Sequence, residues 1–303
     1  MRGSGLAKYR EEIKRCTNIY ENFNDAAGLI DSLLGAVESC FERRDCSVNR
    51  VDKAGYNIEK IADQMRASES LNLDPGFDPT LLKRLLFIIS DQIIKANPSY
   101  KKIIDQFKNL SEANLPDQEP PLSREKVNRL RELLIKETAL EQDMATLLFS
   151  IALSSIYRRQ LESISEVLRT DLYEGGDCPL CGEKPHYGML RGVDGAKVLE
   201  CWLCGTRWVH TRIKCPFCNN DEQDDLGYFT IESRETCRVS FCKNCCHYYK
   251  VFDARKFDTD GDIVLAIHNL ASLSYDLLAR QEGFTPGSNL EWVNKSELAD
   301  EQD

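Results

Sequence analysis

Residues 178–181 read CPLC, and the same C-x-x-C spacing returns as CWLC at 201–204, CPFC at 215–218 and CKNC at 242–245. Two residues between cysteines allow a tight turn to aim both sulfur atoms at one point, so each unit supplies half of a tetrahedral metal shell. Ten of the 13 cysteines fall between positions 178 and 246. The sequence therefore predicts two metal centres built from four matched units.

The spacing between the units favours a sequential pairing. A gap of 19 residues separates the first two units and a gap of 23 separates the last two, and each gap is long enough for a β-hairpin. Only ten residues separate the second and third units. A cross-braced pairing, first with third and second with fourth, stays open. The predicted ligands are Cys178, Cys181, Cys201 and Cys204 at one site, and Cys215, Cys218, Cys242 and Cys245 at the other.

Four thiolates suit zinc and mononuclear iron equally well, so the predicted cofactor is iron or zinc. The units CPLCG and CWLCG carry the small residue after the second cysteine that rubredoxin knuckles favour. Zinc would make a closed structural centre, and iron would add a one-electron function. A thioredoxin-like dithiol relay is disfavoured, because no βαβ frame surrounds the units.

The remaining cysteines and the histidines are predicted to be packing residues. Cysteine is among the residue types most often buried as a small apolar group. The five cysteines outside the units are Cys16, Cys40, Cys46, Cys237 and Cys246. His247 is disfavoured as a ligand because four cysteine pairs are already complete. The other histidines, expected to be isolated, are His186, His210 and His268.

Charge argues against a nucleic-acid binder. The 303-residue chain has a net charge of −10, while its 42% of hydrophobic residues is enough for a folded core. Residues 1–170 carry −1, residues 171–258 carry −2 and residues 259–303 carry −7. Binding to phosphates needs a basic surface, and the only local cluster is Arg207, Arg212 and Lys214.

The start of the sequence predicts a cytoplasmic protein that does not insert into membranes. The first twenty residues are charged throughout and contain no apolar run typical of a secretory signal. The longest nearly uncharged stretch, residues 144–157, is shorter than the roughly 20 residues that a bilayer span needs. Thiols stay reduced in the cytoplasm, which favours metal binding over disulfides.

The chain is predicted to have an α+β fold in four parts. Residues 1–170 show helical periodicity and form an all-helical domain, with Asp78 and Pro79 as one clear helix start. Two tandem rubredoxin-like, or zinc-ribbon-like, modules follow at 171–213 and 214–258, with β-like stretches at 197–199, 208–213, 228–231 and 248–252. Residues 259–303 are a C-terminal helix, stopped near Gly283, and an acidic tail.

Residues 199–218, LECWLCGTRWVHTRIKCPFC, resemble the central block of the FdhE family, the formate dehydrogenase accessory proteins of bacteria. The resemblance includes Trp208 and Arg212 between the two central units. It extends to CPLCG before them, and to CKNCCHYYKVFD and NLASLSYDLLARQEGF after them. It is specific over residues 178–284, and over the first 170 residues it is only architectural. The sequence departs from the family pattern at His268-Asn269, at Tyr248-Tyr249-Lys250 and at Asn289-Leu290.

The resemblance implies a cytoplasmic assembly factor that binds the catalytic subunit of formate dehydrogenase before export of the mature enzyme. It also implies two rubredoxin-like modules associated with iron, and a protein that is not itself an enzyme. The sequence leaves two alternative functions open. The protein is then either a zinc-ribbon protein that binds nucleic acid or a redox protein that uses rubredoxin-like iron.

Overall fold

The computed structural model describes residues 4–43, 46–115, 120–231, 236–257 and 263–287. The part before residue 170 is helical, as the sequence predicts. Its helices are α1 (Ser4–Ile19), α2 (Asn24–Phe41), α3 (Ile58–Arg66), α4 (Pro79–Ala96), α5 (Lys101–Asn114), α6 (Arg124–Glu137), α7 (Gln142–Gln160) and α8 (Glu162–Ser165). Among the described residues, no helix combines the length and the hydropathy needed to cross a bilayer.

Helix α4 lies at the centre of the helical part, where it packs against α2, α5 and α7. The Asp78 side chain caps its first turn by accepting a hydrogen bond from the backbone N–H of Leu81 at 2.8 Å, and Pro79 occupies the first helical position. The apolar residues of α4 recur three and four positions apart and are almost completely buried. The helix start predicted at Asp78 is therefore confirmed.

One mixed sheet forms the cysteine-rich part of the chain. Its strands are β1 (Tyr187–Arg191), β2 (Ala196–Glu200), β3 (Arg207–Val209), β4 (Leu226–Phe229), β5 (Cys237–Cys242), β6 (His247–Asp253) and β7 (Thr285–Pro286). Their order is β3-β2-β1-β6-β5-β4, and β7 also pairs with β6. Strands β1 and β5 lie outside the β-like stretches that the sequence predicts.

A parallel strand pair joins the two cysteine modules. Strand β1 of the first module pairs with β6 of the second, in a register that runs from Tyr187 opposite Lys250 to Leu190 opposite Asp253. All other pairs within each module are antiparallel, as expected of hairpins. The modules are therefore halves of one sheet. Their predicted boundary between residues 213 and 214 stays a prediction.

The helical part and the sheet share a continuous hydrophobic core. The segment at 70–73 adds polar contacts to the first C-x-x-C unit. The backbone N–H of Leu71 donates to the carbonyl of Pro179 at 2.9 Å, and that of Leu73 donates to Leu180 at 3.0 Å. The Ser70 hydroxyl donates to the carbonyl of Cys178 at 2.7 Å. The first unit is thus held on both sides, by its own sheet and by the helical part.

The predicted C-terminal helix is present but divided into α9 (Leu265–Ala271) and α10 (Leu273–Gln281). The Ser272 hydroxyl between them donates to the carbonyl of His268, four residues earlier, a contact that bends helices. Gly283 ends α10 with a φ of +84°, as predicted. The predicted acidic tail beyond residue 287 lies outside the described residues.

A buried ion pair fastens α10 to the sheet. Lys250 on β6 is 1% exposed, and its ammonium group lies 2.5 Å from the Asp276 carboxylate. The same ammonium donates to the carbonyl of Asn269 at 2.8 Å, and the Tyr248 hydroxyl donates to Asp276 at 3.0 Å. Because both charges keep hydrogen-bond partners, their burial is tolerated.

A second buried polar contact joins the two ends of the described chain. His268 Nε2 on α9 lies 2.8 Å from Glu12 Oε1 on α1, and the backbone N–H of Val264 donates to Glu12 Oε2 at 3.0 Å. The other ring nitrogen, Nδ1, faces the Tyr20 hydroxyl at 3.2 Å and Cys16 Sγ at 3.6 Å. The prediction that His268 is isolated is therefore wrong, whereas Cys16 is buried as predicted.

Glu12, Cys16 and His268 also have the right side-chain types for a metal site, and their ligand atoms lie within 4.8 Å of one another. The carboxylate and the thiol, however, face opposite nitrogens of one imidazole ring. A metal ion bound to either ring nitrogen would have to displace the hydrogen-bond partner that this nitrogen already has. We therefore interpret Glu12 and His268 as a hydrogen-bonded clamp between α1 and α9, named the α1–α9 clamp below.

The α1–α9 clamp predicts a specific loss of stability in acid. Burial alone raises the Glu12 pKa, but hydrogen bonds from His268 and Arg15 outweigh burial and lower this pKa from 4.5 to about 2. Glu12 therefore stabilises the fold fully above pH 4.5, and this contribution is lost as the pH falls toward 2. At pH 7, we expect Glu12→Gln to lower the free energy of unfolding by about 2 kcal/mol.

Chemical denaturation of the native protein and of the Glu12→Gln variant at several pH values checks this prediction. Acid also protonates cysteines, but that effect is common to both proteins and cancels in their difference. The difference in unfolding free energy should shrink between pH 4.5 and 2. A difference that stays constant over this range would contradict the assignment.

Candidate metal centres

The structure brings the first and second C-x-x-C units together at the end of the β1–β2 hairpin. The Sγ atoms of Cys178 and Cys204 lie 3.5 Å apart. Cys181 Sγ lies 3.6 Å from the Sγ atoms of both Cys201 and Cys204. All four side chains are buried. These four cysteines are called the first centre below.

The third and fourth units converge in the same way beside strands β5 and β6. Cys215 Sγ lies 3.7 Å from Cys245 Sγ, and Cys218 Sγ lies 3.8 Å from Cys242 Sγ. Cys215 and Cys242 are buried, whereas Cys245 is half-buried and Cys218 is exposed. These four cysteines are called the second centre below.

The sulfur spacing in both centres fits a tetrahedral metal ion. A metal–sulfur bond of about 2.3 Å implies sulfur atoms about 3.8 Å apart at the corners of a regular tetrahedron. The sulfur–sulfur distances of 3.5–3.8 Å are close to this value. The convergence is sequential and not cross-braced. Zinc and iron both suit such a set of four thiolates.

The knuckles owe their shape to a left-handed residue directly after the second cysteine. These residues are Gly182 (φ +73°), Gly205 (φ +77°), Asn219 (φ +62°) and Cys246 (φ +56°). Glycine and asparagine adopt this conformation readily, whereas cysteine adopts it at a cost. The sequence predicts rubredoxin-like knuckles from the glycines after the first two units. The same conformation in the last two units was not foreseen, because Asn and Cys give a weaker signal.

Backbone hydrogen bonds close each turn. In three knuckles, the N–H of the left-handed residue donates to the carbonyl of the first cysteine at 2.9–3.1 Å. In the fourth knuckle, Cys242 and His247 are opposite each other in the β5–β6 ladder, so the sheet itself closes the turn. Cys246 is exposed and donates weakly to the carbonyl of Lys243. It lies next to a predicted ligand but is not one of the four cysteines that converge.

The helical part of the chain covers the first centre. A Cβ atom on Gly182 would lie 1.9 Å from the Asn72 side chain, and one on Gly205 would lie 2.3 Å from Arg158. Both glycines are therefore required for close packing as well as for their φ angle. Trp208, beside the same centre, is buried, and its indole N–H donates to the carbonyl of Gly175 at 3.0 Å. The first centre is consequently sealed from solvent.

Burial and hydrogen bonds shift the pKa values of the thiols in both directions within each centre. Burial raises the pKa of Cys201 well above its ordinary value, while hydrogen bonds from neighbouring thiols outweigh burial at Cys204 and lower its pKa. At Cys218, hydrogen bonds from the Asn220 backbone and the Asn244 side chain outweigh a burial effect and lower the pKa to about 7. A metal entering the first centre must therefore displace protons.

The remaining predicted packing residues have varied surroundings. Cys40, Cys46 and Cys237 are buried as predicted, although Cys46 lies outside the helices. The Sγ atoms of Cys40 and Cys46 lie 2.7 Å apart, a contact that no sequence pattern indicated. His186 and His210 are also buried, and burial lowers the pKa of each to about 4.

Comparisons with known proteins find similar sequences for part of the chain. The chain is 38% identical over 110 residues to a protein FdhE homolog of Aquifex aeolicus, covering 35% of this chain and 38% of that protein. It is 30% identical over 154 residues to protein FdhE of Salmonella dublin, covering 50% of this chain and 48% of that protein. The chain is therefore similar in sequence to FdhE proteins over part of its length.

The crystal structure of the FdhE protein from Pseudomonas aeruginosa has the same fold. Its TM-score is 0.57 and its sequence identity is 18%, with 96% of each chain covered. The matches to the FdhE proteins in sequence span about half the length of these curated relatives or less. No model of a protein family matches the chain. The resemblance found in the sequence is thereby confirmed, and the likeness in fold includes the helical part.

Two adjacent cysteines test the ligand assignment. We expect Cys245→Ser to lose the metal of the second centre, because it removes one of four converging thiolates. Cys246→Ser should keep both metals. Elemental analysis of anaerobically purified proteins checks both expectations. Equal metal content in the two variants would contradict the assignment.

Cys246→Gly makes the complementary prediction for stability. Glycine relieves the left-handed strain at this position, so we expect the free energy of unfolding to rise by about 1 kcal/mol. Metal content should not change. Chemical denaturation of the metal-loaded protein measures the effect, with Cys246→Ser as the control for loss of the thiol. A fall in stability relative to Cys246→Ser would contradict the strain at this position.

The difference in burial between the two centres predicts that they lose their metal ions to a chelator at different rates. We expect a chelator to remove one metal per chain quickly, from the second centre with its exposed Cys218, and the other only slowly. Alkylation during chelation, followed by peptide mass spectrometry, identifies the cysteines that are freed first. Early labelling at residues 178–204 would contradict the prediction.

Proposed function

We propose that the protein is a cytoplasmic accessory factor for the maturation of formate dehydrogenase, and that it binds the catalytic subunit of that enzyme. The observation that carries this proposal is the likeness to FdhE proteins. Identity to one FdhE homolog is 38% over 110 residues, and the fold matches an FdhE crystal structure over nearly the whole chain. The two centres support the same role, since eight cysteines converge as the family resemblance implies.

The chemistry of the centres favours a scaffold over a catalyst. A catalytic zinc site keeps one position open for water or substrate, whereas a structural site is closed by four protein ligands. Each centre here offers four thiolates in tetrahedral spacing. The metal would then fix the knuckles and the strands that carry them. Such a scaffold presents a rigid surface to a client protein without turning over a substrate.

A redox role is a second candidate, and the exposure of the second centre favours it. If this centre holds iron, Cys218 brings a ligand sulfur to the surface, where an electron could pass to or from a partner. The first centre, sealed by the helical part, is suited to a structural role. Visible absorption of thiolate-bound iron that bleaches on reduction would support this candidate, and a colourless zinc-loaded protein would remove it.

The alternative of nucleic-acid binding loses support in the structure. Arg207, one member of the small basic cluster, is paired with the Glu200 carboxylate at 2.6 Å and donates to the carbonyl of Ile263. The Lys197 ammonium contacts the carbonyls of Arg212 and Lys214, so this loop is held against the sheet. The net charge of −10 is likewise unfavourable for binding phosphates.

A complementation experiment tests the proposed function. Cells that lack this protein should lose most formate dehydrogenase activity, and the native gene on a plasmid should restore it. We expect Cys215→Ser to fail, because it breaks the second centre, and Cys246→Ser to succeed. Co-purification of the catalytic subunit with the native protein, but not with Cys215→Ser, would show binding. Normal activity in cells that lack the protein would overturn the proposal.

A further inference from the structure

Cys40 and Cys46 form a pair of thiols that neither the metal centres nor the proposed function uses. Cys40 lies in the last turn of α2, and Cys46 follows in the segment that leads to α3. Two backbone hydrogen bonds turn the chain between them. The N–H of Arg43 donates to the carbonyl of Cys40, and the N–H of Cys46 donates to the carbonyl of Arg43, each at 3.2 Å. This turn brings the two side chains together, and each cysteine is only 2% exposed.

The distance between the two sulfur atoms distinguishes this pair from the metal centres. The Sγ atoms of Cys40 and Cys46 lie 2.7 Å apart, whereas the sulfur atoms of the two centres lie 3.5–3.8 Å apart. A shared tetrahedral metal ion would hold its sulfur ligands about 3.8 Å apart. Within the described residues, no third cysteine, histidine or carboxylate joins the pair in a cluster that could hold a metal ion. The contact is instead one from which two thiols can form a disulfide bond of about 2.0 Å.

The surroundings of the two thiols differ, which gives each a separate role. The Arg84 guanidinium group on α4 donates to Cys46 Sγ at 3.1 Å, and such a contact stabilises negative charge on sulfur. Burial and the hydrogen bond with Cys46 raise the pKa of the Cys40 thiol to about 12. Because the thiolate is the reactive form of cysteine, Cys46 is suited to attack an oxidant and Cys40 to attack the oxidised Cys46.

We propose that Cys40 and Cys46 are a redox modification site, which a peroxide converts into a disulfide and a small dithiol restores. In the first step, the Cys46 thiolate attacks hydrogen peroxide, the O–O bond breaks and hydroxide leaves, so that the sulfur becomes a sulfenic acid. In the second step, the Cys40 sulfur loses its proton and attacks Cys46. The S–S bond forms, the S–O bond breaks and the oxygen leaves as water.

The two steps together consume two thiols and one peroxide and yield one disulfide and two water molecules. The peroxide is reduced and the sulfur atoms are oxidised. A small, uncharged oxidant suits this site because both cysteines are buried. The added dithiol reverses the reaction by thiol–disulfide exchange and is itself oxidised. This proposal rests on the geometry of the pair and is independent of the proposed function.

The position of the pair gives the disulfide a structural consequence. The end of α2 meets the end of α7 here, since Arg159 lies 2.5 Å from the Glu38 carboxylate and 3.8 Å from the centre of the Phe41 ring. Beyond Cys46, the backbone N–H of Val51 donates to the carbonyl of Gln160 at 2.8 Å. A disulfide would close a loop between these contacts. It would thereby restrict the unfolded chain and stabilise the junction of the two helices.

Peptide mapping of the metal-loaded full chain tests the proposal. The reduced protein is treated with increasing amounts of hydrogen peroxide, and its free thiols are then alkylated under denaturing conditions. Trypsin and a glutamate-specific protease release residues 39–42, which contain Cys40 alone, and residues 45–50, which contain Cys46 alone. We expect these two peptides to be linked, and a dithiol to separate them. The proposal is overturned if they stay unlinked at every amount of peroxide that leaves the metals bound, or if Cys46 is linked to another cysteine instead.

Three cysteine variants test the roles of the two thiols. In Cys40→Ser, we expect the sulfenic acid at Cys46 to persist, and a reagent specific for sulfenic acids should trap it there. In Cys46→Ser, Cys40 should stay reduced. Cys237→Ser, which removes another buried thiol, is the matched control and should form the disulfide as the native chain does. Trapping at Cys40 in Cys46→Ser, with none at Cys46 in Cys40→Ser, would overturn the assigned roles.

Thermal unfolding of the native chain gives a measurement that does not require the variants to fold. We expect the linked protein to unfold at a temperature roughly 5 °C higher than the reduced protein, and a dithiol to remove the difference. Metal content is measured in both states, so that loss of metal from either centre is recognised. An unfolding temperature that is unchanged or lower in the linked, fully metal-loaded protein would contradict the stabilisation of the helix junction.

Discussion

The structure of the cysteine-rich part depends on two groups of four cysteine sulfur atoms, each group held within 4.8 Å. Thiolates at that distance repel each other, and only a cation between them makes their joint deprotonation favourable. The geometry that achieves this is local: a left-handed residue after each second cysteine, and a backbone hydrogen bond or strand pair that closes the turn. The β-hairpins then carry one knuckle at each end, so sheet and metal site stabilise each other.

The two centres have the same ligands but different surroundings. The first is enclosed by the segment at 70–73 and by Arg158, so metal binding there also fixes the junction between helices and sheet. The second lies at the surface, with Cys218 exposed and its pKa lowered to about 7. One sheet can combine a structural role for the first centre with electron exchange with a partner at the second centre. This is because the parallel β1–β6 pair holds the two centres apart in fixed positions.

Local sequence was sufficient to predict which cysteines converge in two groups of four, and one clear helix start. The spacing of C-x-x-C fixes where two sulfurs can point, and Asp78 with Pro79 marks a helix start by chemistry contained in a few residues. Apart from the left-handed Asn219 and Cys246 and the contact between Cys40 and Cys46, the features that the sequence did not predict depend on distant partners. Strand β1 meets β6 some sixty positions later, and His268 is explained only by Glu12, 256 residues away. The residue pattern of a single segment does not indicate a contact with a distant segment.

The α1–α9 clamp also affects how the chain can fold during translation. Helix α1 is synthesised long before α9, and the imidazole that makes a hydrogen bond with its buried Glu12 is translated more than 250 residues later. Domains usually fold in order of emergence, but the contacts of Glu12, Cys16 and Tyr20 with His268 form only after α9 has been synthesised. Docking of α1 against α9 is therefore a late step of co-translational folding.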